Sequence, residues 1–253
     1  MAQRWPDRLW IVRHGESAGN VARDAAVAAG VSHIELGIRD VDVPLSERGV
    51  KQSCALGRWF AALEPEARPQ AVLVSPYLRA RRTAELIRDG GGLDPEVQFT
   101  VDERLREKEF GILDRLTAQG IHELHPDQAE FRQILGKFYF RPPGGESWCD
   151  VILRLRSALD TLSLHHGGRR VLVVAHQVVV LCLRYLLEDM TEEEILAIDR
   201  AGDVANCAIT EYRFDHAHPP DGRLRLHDYN VTAPMEREGA PVTSAPDAKV
   251  AAR

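Results

Sequence analysis

Residues 9–20 read LWIVRHGESAGN, and residues 169–177 read RRVLVVAHQ. Each is a short apolar run that stops on a histidine, and Arg13 precedes the first of them. A third run, AVLVS at 71–75, is followed closely by Arg79. Short apolar runs bounded by polar residues predict buried strands. In an α/β sheet, ligands bind beyond the carboxyl ends of parallel strands, which would gather His14, His176, Arg13 and Arg79 around one pocket. The chemistry suits a phosphoryl group. Arginine offers a fork of donors that matches phosphate oxygens. A neutral imidazole can attack phosphorus, and a second, protonated one can stabilise the equatorial oxygens. A lone histidine after a strand usually serves structure, and a lone arginine a surface ion pair. Their joint occurrence at three strand ends is what singles these residues out. A proton donor for the leaving oxygen remains to be found.

The elements that would carry these residues alternate along the chain. Residues 17–30 are alanine-rich and close on Gly30, which predicts a helix with a glycine stop. LSERGVKQSCALGRWFAAL offers Ser46 as an N-cap and one apolar helical face. A helix is expected through LRARRTAELI, two helical pieces over 117–135 broken near Pro126, and another through SWCDVILRLRSALDTLSLHH. Thr191 and Glu194 stand in capping-box spacing. VQFTV, NCAITEYRF and LRLHDYNV read as further strands. The expectation is an α/β fold, a three-layer α/β/α sandwich with a mainly parallel sheet. One domain over 1–235 is expected, with 236–253, poor in aromatics and rich in Ala and Pro, as a disordered tail.

The 253 residues are 44% hydrophobic with a net charge of −6, which does not suggest a nucleic-acid surface but leaves room for a local anion pocket. No apolar run reaches membrane-span length, and the N-terminus shows no secretory h-region, so a cytoplasmic protein without membrane partners is expected. Cys54, Cys149, Cys182 and Cys207 form no CxxC pair and read as reduced, buried thiols. His122 and His125 flank Glu123 without the H-E-x-x-H spacing of a metal helix, and His216 and His218 sit in a Pro-rich loop; no metal and no cofactor are expected. Trp5 and Trp10 are candidates for a homodimer interface.

Several stretches together resemble the histidine phosphatase superfamily, which includes the cofactor-dependent phosphoglycerate mutases. VRHGESAGN matches its R-H-G-x-S-x-x-N signature; DVPLSERGVKQ, SPYLRARRTAEL, LREKEFG, PPGGESW and VLVVAH match its later blocks in order, over about residues 9–208. The resemblance implies a phosphoglycerate mutase-like fold and a phosphohistidine mechanism. His14 would be the nucleophile, and Arg13, Asn20, Arg79 and His176 would hold the phosphoryl group. Glu107, picked out among Glu103 and Glu109 by its spacing to Gly111, would be the acid and then the base. Ser17 would bind phosphate or cap the following helix, and Asn206 would support the pocket or start a strand.

The second half is similar in layout to the fructose-2,6-bisphosphatase branch, through HPDQAEFRQ, KFYFRPPGGESW and VLVVAHQVVVLCLRYLL, with Gln177 where most members have glycine. That likeness implies sugar-phosphate contacts for Arg132, Lys137 and Gln177. Ala118, Trp148 and Leu181 depart from it, standing where that branch has two tyrosines and an arginine. The stretch between Asn20 and Leu45 is long, and about residues 21–44, with Arg23, His33, Glu35 and Arg39, would form a lid.

The expected function is a metal-independent phosphomonoester hydrolase acting on a small phosphorylated metabolite, with a sugar phosphate as one candidate. The alternatives are a phosphoglycerate mutase, which is an isomerase, and a non-catalytic phosphate-binding module. On these roles His14 attacks as a neutral imidazole and Glu107 donates a proton. Activity is therefore expected to peak at mildly acidic to neutral pH and to survive EDTA; a pH–rate maximum above about pH 9 would contradict the assignment.

Overall fold

The structure, a computed structural model, describes residues 3–97, 99–217 and 222–244. Six strands form one sheet: β1 (Arg8–Arg13), β2 (Ala71–Val74), β3 (Phe99–Val101), β4 (Arg170–Ala175), β5 (Ile209–Asp215) and β6 (Arg223–Val231), in the order β3-β2-β4-β1-β5-β6. The pairs β1–β4, β4–β2 and β2–β3 are parallel, whereas β5 and β6 are antiparallel. The expected mainly parallel α/β sandwich is the observed fold.

Alternation along the strands splits the core into two layers. Leu9, Ile11, Leu73, Val171 and Val173 face α6 (Trp148–His165) and α7 (Gln177–Leu187), meeting Val151, Leu155, Leu162 and Val179. Trp10, Val12, Val72, Val74, Leu172 and Val174 face the other side. There they meet Leu56 and Phe60 of α2 (Glu47–Ala61) and Ala80, Ala84 and Ile87 of α3 (Leu78–Asp89). Trp10 is completely buried and packs edge-on against Phe60 with ring centroids 5.5 Å apart. It therefore cannot serve the interface expected of it: strand alternation points its indole into the core.

The helix signals hold in detail. α1 (Ala18–Ala28) is capped by Ser17 in a capping box with Asn20. Ser46 accepts from the Gly49 amide at 3.0 Å at the start of α2. The helical stretch over 117–135 breaks before Pro126 into α4 (Ala118–Leu124) and α5 (Pro126–Tyr139), and the second piece runs to Tyr139. Thr191 and Glu194 form the capping box of α8 (Glu192–Ala201).

Two further expectations are corrected. The late strand starts at Ile209 rather than Asn206, because residues 206–207 turn, with Cys207 at φ 57°. Residues 236–244 of the presumed disordered tail are part of the packed structure. α9 (Ala233–Arg237) buries Met235 against the α2 side of the sheet, and residues beyond it hydrogen-bond to α2 and to the loop before β5. Apolar content was a poor guide there because hydrogen bonds to buried amides hold the segment. Residues 245–253 and His218 lie outside the described residues.

Backbone packing is tight where α2 meets the loop after β1. A Cβ on Gly49 would stand 2.0 Å from the Glu16 carbonyl oxygen, and one on Gly15 would stand 2.6 Å from that of Gly49. Gly49→Ala is expected to force these main chains apart, at a cost of about 1–3 kcal/mol. Thermal melts should show a Tm lower by roughly 2–12 °C; an unchanged Tm would mean the loop yields freely.

Candidate active site

The β1–β4 register pairs Arg13 with Ala175, so His14 and His176 leave neighbouring strands side by side. The His14 amide still donates to the Ala175 carbonyl at 2.9 Å. The imidazole centroids lie 5.1 Å apart, and both residues are completely buried. β2 ends one strand further along, and Ser75 after it lies 2.7 Å from His176 Nε2 through its hydroxyl.

The ring of His14 is fixed in one tautomer by its neighbours. Nδ1 lies 2.7 Å from the Gly15 carbonyl oxygen. A carbonyl can only accept, so the proton sits on Nδ1 and Nε2 carries the lone pair. That Nε2 faces Arg79 Nε at 3.3 Å. Arg79, 3% exposed, stands on the first turn of α3, beyond β2. Its guanidinium lies 4.8 Å over the Tyr77 ring, which also packs on His176 at 5.1 Å. Burial, then the Glu109 and Asp40 carboxylates, push the Tyr77 hydroxyl well above its ordinary pKa. Arg13 is buried and donates to the Val204 carbonyl at 2.6 Å.

Glu107 reaches the same place from a loop. It is 2% exposed, and its Oε2 is 3.8 Å from His176 Nδ1. The loop is held by the PPGGESW stretch. The Glu146 amide donates to the Glu109 carbonyl at 2.9 Å, and the Glu109 amide donates to Glu146 Oε2 at 3.1 Å. Glu146 also receives Arg106 and Arg154, which hold its carboxyl below the usual range despite its burial. Gly111, at φ 55°, lies where a Cβ would meet the Pro143 oxygen at 2.1 Å. The L-x-E-x-x-x-G spacing thus has a steric reason: only glycine lets the Glu107 loop lie on that stretch.

A cavity opens beside these groups, lined by Ser17, Asn20, Arg23, Arg79, Glu107 and Phe110, together with Ile34, Leu36 and Asp40 from the long insert. Ser17 and Asn20 cap α1 reciprocally. The insert is strapped to residues 115–117. The Ile34 amide donates to the Arg115 carbonyl at 2.8 Å, and the Arg115 guanidinium donates to the carbonyls of Leu36 and Ile38, each at 2.8 Å. The insert also delivers Asp40, whose carboxylate takes both terminal nitrogens of Arg79 at 3.0 and 3.2 Å. Of the insert residues singled out in the sequence, only Arg23 lines the cavity, from α1; Arg39 pairs with Asp42 in solvent.

Arg132, Lys137 and Gln177 do not line this cavity. Lys137 pairs with Asp199, and the Gln177 amide donates to Asp203 at 2.8 Å. Arg132 is brought down to about 10 by burial. Asn206 settles its two readings in favour of support, because its amide donates to the His14 carbonyl at 3.0 Å. Among the described residues, no group of three or more His, Cys, Asp or Glu side chains could hold a metal ion, and no helix is long and apolar enough to cross a membrane.

Sequence reasoning missed Tyr77, Asp40, Gln52 and Lys108. Lys108 sits in a charged run that reads as solvated, yet it is 7% exposed, with its ammonium 4.4 Å over the Phe110 ring. Its place next to the Glu107 bend was the available signal.

A family model described as histidine phosphatase superfamily (branch 1) matches residues 9–224. A 6-phosphofructo-2-kinase/fructose-2,6-bisphosphatase of Caenorhabditis elegans is 31% identical over 194 residues, covering 77% of this chain and 37% of that protein. A probable phosphoglycerate mutase of Photorhabdus laumondii is 29% identical over 215 residues, covering 84% of this chain and 86% of the relative. A mycobacterial glucosyl-3-phosphoglycerate phosphatase, solved with inorganic phosphate, superposes with a TM-score of 0.66 at 25% identity, covering 90% of this chain and 99% of that one. This chain spans only about a third to a half of the length of the first relatives that it matches.

Lys108 gives this site a measurable signature. Burial first, and then Arg132, bring its ammonium down to about 8 from 10.5. Between those values the unfolded chain binds a proton that the folded chain does not, so stability rises with pH across that window. Below it, the buried charge costs on the order of 3 kcal/mol. Lys108→Met is therefore expected to raise Tm at pH 7, with the gain fading towards pH 10.5; a gain independent of pH would mean packing, not charge, is responsible.

Proposed function

The chain belongs to the histidine phosphatase superfamily, and on that premise we propose that it is a metal-independent phosphomonoester hydrolase working through a phosphohistidine. The observation that carries this reading is the fixed tautomer of His14. Its Nε2 lone pair points into a buried cluster of Arg79, His176 and Glu107.

In the proposed reaction, His14 Nε2 attacks phosphorus and the bond from phosphorus to the ester oxygen breaks. Glu107 gives its proton to that oxygen, and the alcohol leaves. The resulting carboxylate then takes a proton from water as the water oxygen attacks phosphorus. The P–N bond breaks, releasing inorganic phosphate and neutral His14. Arg13, Arg79, Asn20 and His176 hold the phosphoryl oxygens throughout, with Ser17 at the rim. Asp40 already occupies the terminal nitrogens of Arg79, so an entering phosphoryl group has to displace or share that carboxylate. We read the 21–44 insert as the movable cover of the pocket, on the strength of Ile34, Leu36 and Asp40 in its wall.

The substrate proposed is a small phosphorylated metabolite, with sugar phosphates favoured. Support comes from two similar proteins, a fructose-2,6-bisphosphatase and a glucosyl-3-phosphoglycerate phosphatase. A second reading, phosphoglycerate mutase, is favoured by the Photorhabdus relative, which this chain covers almost throughout. A non-catalytic phosphate-binding module ranks last, because His14, Glu107 and His176 are all in place. Four free cysteines fit a cytosolic setting.

The test is phosphate release in EDTA from p-nitrophenyl phosphate, sugar phosphates, fructose 2,6-bisphosphate and 3-phosphoglycerate. His14→Ala is expected to lose at least about a thousandfold, roughly 4 kcal/mol of barrier. Rapid interconversion of the phosphoglycerates would favour the mutase, and phosphate binding without turnover would favour the binding module.

A further inference from the structure

The backbone that presents His14 is held by buried side chains. The His14 carbonyl accepts from Asn206 Nδ2 at 3.0 Å. The Gly15 amide donates to the Thr83 hydroxyl at 3.0 Å, and the Glu16 amide donates to Gln52 Oε1 at 2.8 Å. Gln52 and Asn206 are both 0% exposed. Each therefore has one end of its amide on the loop and the other end committed elsewhere.

Both of those other ends lead to the chain beyond α9. Gln52 Nε2 donates to the Pro241 carbonyl and to the Thr243 hydroxyl, each at 2.8 Å. The Thr243 hydroxyl donates to Asn206 Oδ1 at 2.9 Å, and the backbone N–H of Asn206 donates to the Thr243 carbonyl at 2.8 Å. One hydroxyl thus accepts from one buried amide and donates to the other. A hydroxyl can do both, so this one group satisfies the two amides in the senses that their loop contacts require. Flipping either amide would place oxygen against the His14 carbonyl or NH2 against the Glu16 amide, a mismatched pair in a buried site.

We propose that Thr243 is a positioning residue for the reaction, acting through Gln52 and Asn206 to hold the backbone of residues 14–16. The segment that carries it reads as tail in the sequence, yet it closes the network around the His14 loop. The catalytic part of this inference rests on the phosphatase reading; the structural part does not.

The experiment compares full-length wild type, Thr243→Val and Thr243→Ser. Valine keeps the shape and removes the hydroxyl, whereas serine keeps the hydroxyl. Two readouts are taken: hydrogen exchange at the Glu16 amide, and kcat and KM on p-nitrophenyl phosphate. Thr243→Val is expected to exchange Glu16 at least about tenfold faster, with kcat down about tenfold and KM little changed, since small misplacements of a reacting group are costly. Thr243→Ser should restore both. Glu16 protection equal to wild type in Thr243→Val, or no rescue by serine, would overturn the proposal. So would faster exchange with an unchanged kcat in an active enzyme. If wild type shows no hydrolysis at all, the phosphatase reading falls, and Glu16 exchange alone decides whether Thr243 holds the loop.

Discussion

Parallel pairing of β1 with β4, in the register that sets Arg13 opposite Ala175, is the constraint on which the site depends. A slip of one residue would turn every side chain of β1 to the other face, exchanging Leu9 and Ile11 for Trp10 and Val12. The two core layers would then both fail, so packing of the whole sandwich locks the register. That same lock brings two imidazoles to 5.1 Å at the mouth of the sheet. Precision at the site is thus inherited from apolar packing well below it, and the polar groups only refine it.

The refinement is a matter of backbone groups more than of charges. The Gly15 carbonyl sets the proton of His14, the Gly49 approach sets the path of its loop, and the Glu146 amide and carboxylate set the loop of Glu107. Charged side chains are then added in a nearly dry setting, where each is worth far more than in water. Arg79 between a histidine, a tyrosine ring and an aspartate is the clearest case.

Sequence made the fold and the central residues legible because both are written locally. LWIV, AVLV and RVLVVA are strands by composition alone, and His14, Arg79 and His176 follow them within a few positions. Ser46 announces its helix as an N-cap, and Thr191 with Glu194 announces another through capping-box spacing. What escaped depends on distant segments meeting. Asp40 on Arg79 joins an insert to a helix, and Thr243 on Gln52 and Asn206 joins three separate stretches. Neither has a pattern that a single stretch can display. Trp10 misled for the opposite reason: aromatic character is visible in sequence, but the face of the strand that carries it is settled only by pairing.

The borders of the sheet carry a consequence for the life of the protein in a crowded solution. An unpaired strand edge is a template onto which other chains can add. Here one border is β3, three residues long among the described residues, and the other is β6, whose exposed positions include Arg223, Arg225, His227 and Asp228. A short border gives too few hydrogen bonds to recruit a stranger, and a charged one would have to be stripped of water first. Both borders of the sheet thus carry features that disfavour the addition of a further strand.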